Sequence, residues 1–263
     1  MEIDIPQNLG LVEVNRLSSG KNIIFAADYH ISYQAQASIS FLYIHLAQEY
    51  GLTLVGFENH PERQKFAKGK PHTSRTDWEG AIRRKQVGRW AGDDSADQFS
   101  HPQIIAYSAL FLGFELDLVD AGNERQLSNL DLVYDYYSQK EKEPNDEADL
   151  ARDLKSAYDR LDPGLQAALT IRGGASVENI RYLRTNEHTS AVVKAMEEAE
   201  KSLALICRGD VHKLEFISVA ESLGLGYLVF VPNDLFVEDP LLTMIYTNRI
   251  AAYQRLLIMN RDL

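Results

Sequence analysis

Apolar residues along this chain fall into short unbroken runs separated by longer amphipathic stretches. The run Leu203–Cys207 has no polar alternation, so it reads as a strand buried on both faces. Further strands are expected at 23–28, 52–57, 115–120 and 227–231. Residues 11–16 alternate apolar and polar, the pattern of an edge strand. Ser18-Ser19-Gly20 would turn that strand back as a hairpin onto the central strand at 23–28. From Ser32 to about Tyr50 the spacing changes to a helical one. Ile39, Leu42, Tyr43, Leu46, Ala47 and Tyr50 lie on one face, and Gly51 ends the helix. A second helix starts at Pro102 and runs to Gly113. Further helices are expected near 124–140, 146–161, 176–201 and 213–223, with a terminal one at 240–259. Pro144-Asn145, Asp162-Pro163-Gly164 and Gly173-Gly174 punctuate the charged middle of the chain.

Strand and helix alternate, which argues for successive βαβ units. The expected fold is α/β: an open, mostly parallel sheet flanked by helices, in a single domain over 1–263. Two insertions interrupt it, a polar lid-like segment at 59–100 and a helical one at 123–200. The first carries Lys65, Lys68, Lys70, Arg75, Arg83, Arg84, Lys85 and Arg89 with Trp78 and Trp90. Its basic character in an acidic protein suits an anionic substrate, or else a solvated helical insertion packed through its tryptophans.

Composition narrows the class. A formal charge of −11 argues against general nucleic-acid binding. No apolar stretch approaches the ~20 residues of a membrane helix. There is no basic-then-apolar leader at the start, so a cytoplasmic, reducing location is expected. The single cysteine, Cys207, lies within an apolar strand and reads as a core residue rather than a nucleophile. The apolar 240–259 helix could serve as a homodimer surface.

The chemistry collects at strand ends. Asp28 and His30 close one strand, Glu58 and His60 the next, Asp120 a third, and Asp210 and His212 a fourth. Ligands of open α/β sheets bind at the carboxyl ends of the strands, so these residues are expected to form one pocket. His30, Glu58, His212 and Asp28 are the residue types of an open Zn²⁺, Mn²⁺, Co²⁺ or Fe²⁺ site. Such a site would activate water, with Glu58 as general base. The same groups could also work without metal, one His–carboxylate pair activating water and a second His protonating the leaving group. Asp120, Asp210 and His60 are candidate substrate-binding residues. For Asp28 and Asp120 the plainer role is to accept N–H bonds from loops. His72, His101 and His188 lie in polar segments and are expected at the surface, as is His45 on the first helix.

The order of these motifs resembles a superfamily of erythromycin esterases, TIKI metalloproteases, TraB/PrgY proteins and ChaN-type haem-binding proteins. Its hallmark is a pair of GxxH tetrapeptides and a glutamate ending the second strand. Gly209–His212 matches fully. Ala27–His30 carries Ala for Gly and Asp28 where Glu is common, and Glu58 matches the second-strand acid. The family places an arginine on the helix entering the last motif strand. Arg184, near Asn186, fits that position, and Arg125 after the third strand is a second source of it. The resemblance spans roughly residues 20–215. It implies a hydrolase-like pocket for a small-molecule or peptide substrate, with His30, Glu58 and His212 catalytic. Arg184 would be an oxyanion or carboxylate clamp and Arg125 a substrate contact. The family's alternatives are non-catalytic binding of haem, a metal or an anion, and a pocket retained in an inactive interaction module.

Overall fold

A computed structural model of the chain describes residues 2–28, 33–57, 64–69, 105, 109, 112–119, 124–139 and 146–232. Among these, seven strands form one open sheet: β1 (Gly10–Arg16), β2 (Asn22–Asp28), β3 (Leu54–Phe57), β4 (Gln64–Phe66), β5 (Leu116–Val119), β6 (Leu203–Gly209) and β7 (Gly226–Pro232). Their order across the sheet is β1-β7-β2-β6-β3-β5-β4. The inner five are parallel, and β1 and β4 are antiparallel edges. Six helices accompany it: α1 (Tyr33–Tyr50), α2 (Glu124–Gln139), α3 (Asp146–Tyr158), α4 (Pro163–Ile171), α5 (Val177–Glu198) and α6 (Lys213–Ser222). The α/β class and the mostly parallel, open sheet are as the sequence pattern requires.

Burial explains the strand order. Every residue of β2 and of β6 is buried, so each needs a neighbour on both edges and a helix layer on both faces. On one face, α1 and the N-terminal segment pack on Ile24, Ala26, Leu205, Cys207, Leu228 and Phe230. On the other, α5 and α6 pack on Ile23, Phe25, Ala204, Ile206 and Val229. Phe216 of α6 stacks on Phe25 with ring centroids 4.8 Å apart. A satellite core under α2 to α5 is built from Leu127, Leu130, Leu165, Leu169, Ile180 and Leu183.

The structure corrects three expectations. The β1–β2 hairpin does not form: β7 lies between them, pairing antiparallel with β1 and parallel with β2. The fully buried β2 takes a buried parallel partner on each side, and the alternating β1 is left with the edge. The turn is closed by Asn22, whose side-chain amide donates to the Ser18 and Gly20 carbonyls and whose oxygen accepts from the Ser18 N–H. Asp162-Pro163-Gly164 starts a helix as well as ending a segment. Asp162 caps α4 by accepting from the Gly164 N–H, and Pro163 fills the first turn, where its missing N–H costs nothing. The 59–100 segment is neither all loop nor all helix, because its residues 64–66 pair with β5. Ile105, Ala109 and Leu112 are helical, with the first two buried in the α1-side core. Residues 59–63 and 70–100 and the 240–259 helix lie outside the described residues.

Candidate functional site

The parallel strands are connected in two directions. From β2 the chain crosses β6 through α1, on one face, to reach β3. From β6 it crosses β2 in the opposite direction through α6, on the other face, to reach β7. The carboxyl ends of the adjacent strands β2 and β6 therefore part company. That divergence is the topological switch point, the place where open α/β sheets form a ligand crevice. In register, Asp28 lies beside Gly209 at this point. Asp28 and Gly209, the described strand-end residues of the two tetrapeptides singled out in the sequence, are thus neighbouring lips at this point.

On the β6 lip the chain leaves Gly209 through a single 3-10 turn, Asp210–His212, and enters α6. His212 is 3% exposed. Its Nδ1 lies 3.1 Å from Thr185 Oγ1 of α5, and the Thr185 hydroxyl lies 2.8 Å from the Arg181 carbonyl. Asp210 is half-buried: its Oδ1, itself covered, is 3.4 Å from Lys213 Nζ, which also pairs with Glu13 of β1 at 2.8 Å. Glu13 first and Asp210 second hold the Lys213 ammonium above its ordinary range.

Helix α5 presents two kinds of surface to the sheet. Its C-terminal half buries Val192, Ala195 and Met196. Its middle buries Arg184, Thr185, His188 and Thr189 beneath the strand ends. His188 was expected at the surface and is instead 1% exposed. It accepts at Nδ1 from Arg208 Nη1 at 3.1 Å, since a guanidinium has no acceptor to offer. Close approach of α5 to β3 depends on Gly56, where a Cβ would lie 2.8 Å from His188 Nε2 and 2.5 Å from Val192 Cγ2. Arg184, the expected clamp, is buried and ion-paired with Asp131 of α2, which fastens α2 to α5.

Asp28 is buried on the other face. Strand alternation places it with Ala26 and Cys207 on the α1 side, whereas Arg208, His188 and His212 belong to the α5–α6 side. Proximity of Asp28, after burial itself, pushes the Cys207 thiol well above its ordinary range. Cys207 is thus an uncharged core residue, as its sequence setting implies. Of the other expected site residues, His30, Glu58, His60 and Asp120 lie outside the described residues, as does the side chain of Arg125. Among the described residues no group of three His, Cys, Asp or Glu side chains is arranged to hold a metal. That result leaves His212 and Asp28 as the described half of the expected ligand set, one on each face of the sheet.

Arg208 escaped sequence reasoning. It is the largest fully buried side chain described, and it follows an apolar run as though it were the first solvent-facing residue. The available signal was its position before Gly209, still within a strand paired on both edges. His188 had a comparable signal, lying four residues after Arg184 and four before Val192 on one helix face. Among the described residues no helix is long and apolar enough to cross a membrane. Comparison with known proteins finds no matching family model, curated protein or solved structure.

Proposed function

We propose that this chain is a hydrolase acting on an ester or peptide bond at the β2–β6 crevice, with His212 as its central basic group. One observation carries the reading: a buried histidine, hydrogen-bonded from below, stands at the carboxyl end of β6 at the switch point of the sheet. Imidazole is the side chain whose ordinary pKa lies nearest neutrality, and an oriented one can take up and return a proton in a fixed direction. His30 and Glu58 complete the site by their sequence positions after β2 and β3, His30 as acid or ligand and Glu58 as base. A divalent metal held by His212, His30 and Glu58 would supply an activated water. The basic residues of 59–100 would favour an anionic substrate.

The test pairs a metal analysis with a substrate panel. Untagged protein prepared without chelator is compared with His212→Gln and His30→Ala on ester and peptide substrates. The expected result is hydrolysis by the wild type and its loss in both variants, with unchanged circular dichroism and melting. Full turnover in His212→Gln would overturn the reading. Metal bound near one equivalent and lost in the variants would assign the metal route. A Soret band on haem titration, with no hydrolysis across the panel, would place the chain with binding proteins instead.

A further inference from the structure

We infer that Thr185 is a positioning residue that fixes His212 in the tautomer with hydrogen on Nδ1, so that Nε2 is its basic nitrogen. The argument is a count of hydrogens. A threonine hydroxyl has one proton and two acceptor lone pairs. The Thr185 hydroxyl sits within reach of two partners, the Arg181 carbonyl at 2.8 Å and His212 Nδ1 at 3.1 Å. A carbonyl oxygen can only accept, so that contact takes the one hydroxyl proton. This is the usual back-bond of threonine within a helix, from residue i to the carbonyl of i−4. The contact to His212 then requires a proton on Nδ1, donated to the Thr185 oxygen. Thr185 and His212 are 1% and 3% exposed, so solvent offers no easy substitute for either partner.

The tautomer is not the ordinary one. A histidine in water favours hydrogen on Nε2, and a protein reverses that preference by giving Nδ1–H an acceptor. Here the acceptor is a neutral hydroxyl on a helix whose backbone holds it in place. Thr185 therefore orients the ring and selects the nitrogen, without placing a second charge behind the imidazole. A protein that lost this bond would keep His212 in the crevice but offer it largely with the wrong nitrogen protonated. For its functional meaning the inference rests on the proposed role of His212, whether Nε2 takes a proton or binds a metal.

The test reads the ring directly and needs no substrate. Protein labelled with ¹⁵N at histidine is studied by long-range ¹H–¹⁵N correlation above the pH at which the ring is protonated. His212 is assigned by its loss in His212→Gln. The expected spectrum has a protonated Nδ1 and a pyridine-type Nε2. In Thr185→Val, which keeps the side-chain shape, the ring should shift toward hydrogen on Nε2, and Thr185→Ser should restore the wild-type pattern. Hydrogen on Nε2 in the wild type would overturn the inference by itself, even if Thr185→Val failed to fold. So would an unchanged tautomer in a folded Thr185→Val. A locked tautomer in a protein that hydrolyses nothing would uphold the lock and count against the hydrolase reading.

Discussion

Gly56 shows how one missing side chain sets the packing of a helix on the sheet. It lies on the α5-facing side of β3, and the absent Cβ lets His188 and Val192 come down onto the strand. Gly56→Ala must push α5 away or force two buried side chains off their rotamers, at a cost of about 1–3 kcal/mol. Urea denaturation should register that loss. Gly69→Ala is the control: among the described residues nothing lies within 4 Å of its added Cβ, and its effect should stay within about 0.5 kcal/mol. Equal effects at the two positions would mean that the α5–β3 contact is looser than described. Residue chemistry was partly legible in the sequence. The strand-end position of His212 and the burial of Cys207 follow from apolar runs that end on polar groups. The burial of His188 and Arg208 does not, because each contributes a polar atom to the other and pattern reasoning assigns polar residues outward.

At the scale of elements, α5 has no continuous apolar stripe. Four of its nine buried residues are Arg184, Thr185, His188 and Thr189, so periodicity alone finds a helix over 176–201 without finding what it covers. The polar part is held by specific partners. The Arg184–Asp131 pair is nearly dry, with side chains 9% and 15% exposed, unlike Arg16–Glu221 at 67% and 50%. Exposed pairs of the second kind contribute about 0–1 kcal/mol. Removing one member of a buried pair strands a charge and typically costs about 3–5 kcal/mol. Asp131→Ala should therefore destabilise the protein far more than Glu221→Ala does. An apolar double replacement, Asp131→Leu with Arg184→Met, should recover much of the loss, because it removes the stranded charge and fills the space. A thermal-melt series of the three variants checks both statements. A loss of less than about 1 kcal/mol in Asp131→Ala would show that water reaches the pair. The α4 helix was missed for a related reason. Asp-Pro-Gly is a breaker when read alone, and only the following Leu165, Ala168 and Leu169 turn it into a helix start.

At the scale of the whole molecule, the sheet class was legible and the strand order was not. Class follows from alternating strands and helices, whereas order depends on which apolar run finds two buried neighbours. The outcome puts β6 at the centre, and its one thiol reports on the entire fold. Cys207 is buried between β2 and β3, beside Asp28, and burial pushes its thiol well above the ordinary 9.0. Above pH 9.0 the unfolded chain releases this proton and the native chain keeps it. The unfolded state then binds fewer protons, so stability falls as pH rises. Below that pH both states hold the proton and the thiol adds no slope. Lys213, also raised, gives the same sign from 10.5 upward as its pairing with Glu13 and Asp210 is lost. Cys207→Ala should accordingly show a shallower loss of stability than wild type between pH 9 and 10, read from urea midpoints. At neutral pH the native thiol should react with alkylating reagents only through global opening. Gly56→Ala should then speed labelling about tenfold for each 1.4 kcal/mol it removes. Fast labelling that ignores Gly56→Ala would mean that reagent reaches Cys207 locally, through the β2–β6 crevice where Asp28 stands. That result would make the crevice deeper than its two lips and extend it to the α1 face of the sheet.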